Sequence, residues 1–73
     1  MDHILLRQIR LTLGLNQSQF GELLGISRTY ISMLETGRRN INDDITDRVK
    51  KEVDRDLIKH VDDLVNMRFT LEK

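Results

Sequence analysis

The chain has 73 residues, 38% of them hydrophobic and 33% charged. This excludes a disordered composition, since aliphatic residues recur throughout, and leads to the expectation of one small domain with no room for a second. There is no cysteine, and the longest uninterrupted aliphatic run is the three residues Ile4-Leu5-Leu6. Disulfides, thiolate metal sites, a membrane span and a signal-peptide core are therefore excluded, and a reducing, cytoplasmic setting is expected. Twelve basic side chains balance twelve acidic ones, which excludes nucleic-acid binding by bulk attraction alone. The balance is uneven: residues 1–42 carry five basic and three acidic groups (+2), and residues 43–73 carry seven and nine (−2). Any phosphate contact must come from a localised patch in the first part of the chain.

Apolar residues recur at steps of three and four throughout, and strand alternation is nowhere sustained, so the chain reads as all-α. The first helix carries the stripe Leu6, Ile9 and Leu13 and stops at Gly14, which can adopt the left-handed conformation of a helix end. Asn16-Gln17-Ser18-Gln19 is a capping box opening the second helix, whose stripe is Phe20, Leu23 and Leu24 and whose end is Gly25. Inside it, Gly21 costs roughly 1 kcal/mol relative to alanine, which points to the close approach of another helix. Ser27 caps a third helix with Ile31 and Leu34 on its inner side, closed by Gly37. Asn42 caps a fourth, with Asp43 and Asp44 at the positive end of its dipole. The stripe Ile45, Val49, Val53, Leu57 runs on to Val61 and to Leu64 or Val65. Asp54-Arg55-Asp56 fits either a break with a fifth helix beyond it or the solvated face of one long helix; two helices with a short or bent junction are expected. Thr70 to Lys73 are expected to fray.

Two short helices joined by a tight glycine turn, the second opening on a serine cap, form a helix-turn-helix pattern. The run Leu6-Arg7-Gln8-Ile9-Arg10, then Leu13-Gly14-Leu15-Asn16-Gln17-Ser18-Gln19-Phe20, then Leu24-Gly25-Ile26-Ser27-Arg28-Thr29-Tyr30-Ile31-Ser32-Met33-Leu34-Glu35-Thr36-Gly37-Arg38-Arg39 resembles the XRE-type helix-turn-helix of phage Cro and CI repressors. The likeness spans residues 4–42, more than half of the chain, and glycines, caps, core positions and a charged pair all fall at matching spacings. It implies a lambda-repressor-like, all-α bundle of about five helices filling residues 1–73. Residues 4–42 would be the core, and residues 43–69 would supply helices for core completion or partner binding.

The resemblance also implies roles. Arg10 and Glu35 match a partly buried ion pair whose loss would strand a charge at about 3–5 kcal/mol; two exposed charges are the bland alternative. Gln17 matches a DNA-backbone contact, or is a plain helix-start glutamine. Residues 27–35 would be the recognition helix, with Arg28, Thr29, Ser32 and Met33 toward the bases. Arg28 would suit guanine O6 and N7, and Thr29 a thymine methyl. Met33 is apolar and exposed in this register, which fits a protein contact equally well. Ser27, Tyr30, Thr36, Arg38 and Arg39 would face the sugar-phosphate backbone, although Tyr30 suits half-buried packing and the arginines suit a solvated surface.

Two departures set this chain apart from the resemblance: its net charge is zero, and the acidic stretch Asn40 to Asp47 replaces the expected proline and apolar helix. Acids at Asp43 and Asp44 would repel phosphate. The last third holds Val53, Leu57, Ile58, Val61, Leu64, Val65 and Phe69, more apolar residues than a three-helix core needs from one side. Leu57, Ile58, Val61, Leu64 and Val65 are accordingly expected at a partner interface, with core completion as the alternative. Nothing points to catalysis or a cofactor: His3 and His60 lack metal-ligand spacing, Asp54-Arg55-Asp56 lacks the rest of a calcium loop, and Asn16-Gln17-Ser18, formally a glycosylation sequon, lies at a helix start. The expected function is that of a small phage or bacterial transcriptional regulator, not an enzyme, binding double-stranded operator DNA as a homodimer, with no membrane and no small-molecule substrate. The alternative is a modulator, antirepressor or antitoxin that uses the same fold to bind a repressor or another protein.

Overall fold

The computed structural model describes the backbone of residues 1–70 and side chains as far as Met67. Phe69, expected among the apolar residues of the last third, has a helical backbone, and so does Thr70; the side chain of Phe69 and the fraying expected toward Lys73 lie outside what is described. Five helices and no strand make up the described residues: α1 (His3–Thr12), α2 (Gln17–Leu24), α3 (Arg28–Glu35), α4 (Asp43–Glu52) and α5 (Arg55–Thr70).

Each of the first four helices starts on a side chain that accepts from an otherwise unpaired amide of the first turn. Asp2 accepts from Leu5 N at 2.7 Å, Ser27 from Tyr30 N at 3.1 Å and Asn42 from Ile45 N at 2.9 Å. At α2 the box is reciprocal: Asn16 Oδ1 accepts from Gln19 N at 2.8 Å, and Gln19 Oε1 accepts from Asn16 N at 2.9 Å. Gly25 ends α2 at φ +73° in a Schellman arrangement, with Ile26 N donating to Gly21 O and Gly25 N to Glu22 O. The chain breaks between α4 and α5 at Val53, which is extended and buried, and Asp54 Oδ1 then accepts from Asp56 N at 3.3 Å. Two helices, not one, therefore carry the stripe from Ile45 to Val65.

Helix α2 packs on α3 and α4, and α1 lies against both α3 and α5. Leu5, Leu6, Ile9, Phe20, Leu24, Ile31, Leu34, Ile45, Val49, Val53 and Val61 form the core. Four details differ from the periodic reading. Leu5 is buried although it lies off the first stripe, whereas Leu23 is 38% exposed because α4 covers only part of α2. Val61 is only 4% exposed, so it completes this chain's own core and is not free to meet a partner. The close approach at Gly21 comes from a turn and not from another helix: a Cβ there would lie 2.6 Å from Ile26 O and 3.3 Å from the Ser27 backbone. No helix of the described residues is long and apolar enough to cross a membrane.

Candidate nucleic-acid interface

The site is built on α3, and an ion pair sets where α3 sits. Glu35, in its last turn, faces Arg10 of α1, with Arg10 Nε donating to Glu35 Oε2 at 2.7 Å and Nη2 to Oε1 at 3.0 Å. Both side chains are almost fully buried. The third guanidinium nitrogen, Nη1, donates to Leu15 O at 3.0 Å, which ties the turn after α1 into the same group. Fork-to-fork pairing of this kind fixes orientation as well as distance. Gln17 also joins it, donating from Nε2 to Glu35 Oε1 at 3.3 Å. Its side chain is half-buried, and this bond commits one of its two amide protons to Glu35.

With Ile31 and Leu34 facing the core, the opposite side of α3 is turned outward. Arg28, Thr29, Ser32, Met33, Thr36 and Arg38 line one open groove of about 550 Å³. Arg28, Thr29 and Arg38 are exposed, and Ser32 and Met33 are half-buried. Met33 thus forms part of the groove wall and does not project as a free apolar knob. Tyr30 is half-buried against the core. Ser27 is exposed, but its hydroxyl oxygen already serves Tyr30 N, leaving it the donor role toward a ligand. The Thr36 hydroxyl donates back to Ser32 O at 2.9 Å. Arg39 is exposed at the mouth of a second groove, shared with Met1, Asp2, His3, Gly37, Asn40 and Ile41.

The groove carries one arginine, Arg28, and a second, Arg38, among its lining residues. Arg28 stands at the amino end of α3, where the free amides add positive potential, and Arg38 lines the groove just beyond the end of α3, with Arg39 next to it in the chain. The carboxylate of Glu35, the one acid of α3, is turned inward and neutralised by Arg10. The profile of the helix-turn-helix family matches residues 6–45, more than half of the chain.

The chain belongs to the XRE-type helix-turn-helix family. Helix-turn-helix domains of this family are DNA-binding regulatory units, and in this one α2 and α3 are the paired helices. Comparison with curated proteins and with solved structures gives no significant match.

The residues expected at a partner interface do not all lie on one free surface. Leu57, Ile58 and Val65 are half-covered and pack on the core beside the enclosed Val61, while Leu64 is 50% exposed. Met67 at 49%, Leu11 at 49% and Ile4 at 46% are the other strongly exposed apolar side chains of α1 and α5. One residue of structural weight escaped the reading of the sequence. Arg48 of α4 donates from Nη1 to Leu24 O at 3.0 Å, at the end of α2. Besides Asp44 one turn back, its partners are backbone carbonyls more than twenty positions away, and no side-chain pattern advertises those bonds.

Proposed function

We propose that this chain is a sequence-specific, DNA-binding transcriptional regulator of a phage or bacterium that acts on operator DNA through α3 and works as a homodimer on a pseudo-palindromic site. The observation that carries the reading is the outward face of α3, with Arg28, Thr29, Ser32 and Met33 along one groove and Arg38 at its end. Arg28 takes guanine through O6 and N7, and Thr29 with Met33 takes the methyl of a thymine. Arg38, Arg39 and Ser27 hold the sugar-phosphate backbone, assisted by the start of α2 at Gln17, and Thr36 joins them by turning its hydroxyl proton away from Ser32 O. The apolar surface left on α5 around Leu64 supports the pairing of two copies, since half-sites one turn of DNA apart match a two-fold dimer.

Selection of duplexes from a random library, followed by titration of the enriched sequence, tests this. Selective binding by the intact chain, lost in Arg28→Ala at one base position, supports it. A protein that enriches no sequence at moderate salt but co-purifies with a repressor replaces it with the protein-binding reading. The exposed pair Asp43 and Asp44 and the zero net charge favour that second reading.

A further inference from the structure

We infer that Arg48 is a positioning residue for recognition: a clamp from α4 that sets the angle of the α2–α3 turn, and with it the seat of α3. The inference rests on the DNA-binding reading above and adds a residue outside the reading face. Its guanidinium holds three acceptors. Nη1 donates to Leu24 O at 3.0 Å and to Gly25 O at 3.4 Å, and Nε donates to Asp44 Oδ2 at 3.2 Å. The two carbonyls belong to the end of α2, where no further helical amide is available to them, and a cation there also meets the negative end of the helix dipole. Gly25 is the position at which the backbone turns left-handed, and a Cβ on it would stand 3.2 Å from Arg48 Nη1. The guanidinium thus rests against the bare face of the turn glycine.

Arg28 lies three residues beyond Gly25. A small rotation at the turn is therefore carried along α3 and misplaces every side chain of the reading groove. The turn's own amides bond to Glu22 O and Gly21 O on one side. Arg48 holds the carbonyls on the other, so the turn is fixed from both directions. The same geometry gives Asp44 a role that is not contact with DNA: it orients the Arg48 guanidinium along α4 and has its own charge offset by it. Glu22, Lys51 and Glu52 line the same groove as Arg48, whose hydrogen bonds go to Asp44, Leu24 and Gly25 instead.

Two measurements on the intact chain decide the matter: amide hydrogen exchange by NMR, and affinity for a selected duplex against a scrambled one across a salt series. In Arg48→Met, exchange at Gly25 and Ile26 is expected to rise about tenfold while core amides such as Ile9 and Leu34 stay within about twofold. Affinity for the selected duplex is expected to fall about tenfold, with the scrambled duplex and the salt slope little changed. Arg48→Lys, which keeps the charge but not the fork, is expected to restore less than half of the lost selectivity, and Asp44→Asn to reproduce a milder form of the defect. A fall on both duplexes with a shallower salt slope would make Arg48 a phosphate contact and overturn the inference. So would unchanged exchange at Gly25 and Ile26. If the unaltered chain selects no sequence, the functional proposal fails on its own, and the exchange data still report whether Arg48 holds the turn.

Discussion

At the scale of single residues, the buried pair Arg10 and Glu35 is the most exposed to mutation. Its three strong bonds leave the carboxylate and guanidinium satisfied, and no buried side-chain polar atom among the described residues lacks a partner. Glu35→Leu alone strands the guanidinium and is expected to cost about 3–5 kcal/mol in a denaturant titration. Arg10→Met combined with Glu35→Leu is expected to recover much of that loss, because no lone charge remains buried. Gly21 gives a second test. On helix propensity alone, Gly21→Ala should stabilise α2 by about 1 kcal/mol. The 2.6 Å approach of Ile26 O makes the opposite outcome the expected one, a loss of about 1–3 kcal/mol and a lower Tm, because backbone and not a flexible side chain stands in the way.

At the scale of elements, much of the chain was readable because its punctuation is local chemistry. Asn16, Ser27 and Asn42 accept from amides three residues on, and Gly25 turns left-handed where the apolar period stops, so the ends of α2 and α3 and the start of α4 follow from neighbours in the chain. The break at Val53 was not decidable from spacing. Ile45, Val49, Val53 and Leu57 keep a four-residue step across it, and a buried extended residue preserves that step as well as a helical one does. Packing decided which apolar faces are covered, and this is why Leu23 lies open and Val61 closed. The candidate site divides the same way: Arg28 and Thr29 could be placed on the outer face by register, whereas the capture of Gln17 by Glu35 and of the α2 terminus by Arg48 depends on elements meeting in space. Removing one local signal should act locally. Ser27→Ala is expected to cost about 1 kcal/mol and to shift amide resonances of the first turn of α3 more than those of α1.

At the scale of the whole molecule, zero net charge and an arginine-flanked groove make a specific demand on DNA binding. With Arg38 and Arg39 as the cationic phosphate contacts, two copies neutralise four phosphates, and the slope of log affinity against log salt is expected to be about −4. A slope near zero would remove these arginines from the phosphate backbone, and one far steeper would bring in further cations, such as some of the seven basic side chains of residues 43–73. Sedimentation is expected to show dimer at high micromolar concentration. Leu64→Glu should shift it to monomer without loss of helicity, since that side chain is half exposed while its neighbour Val61 is enclosed.

The self-contained caps have a kinetic consequence. Four of the five helices open on a bond between residues three apart, so each can begin to form before the rest of the chain arrives. Chains dominated by such short-range closure collapse to the native state within microseconds to milliseconds. The Arg10–Glu35 pair, by contrast, closes a loop of 25 residues. In stopped-flow experiments, weakening it should accelerate unfolding far more than it slows refolding, so the pair would govern how long each molecule persists and not how quickly it is made.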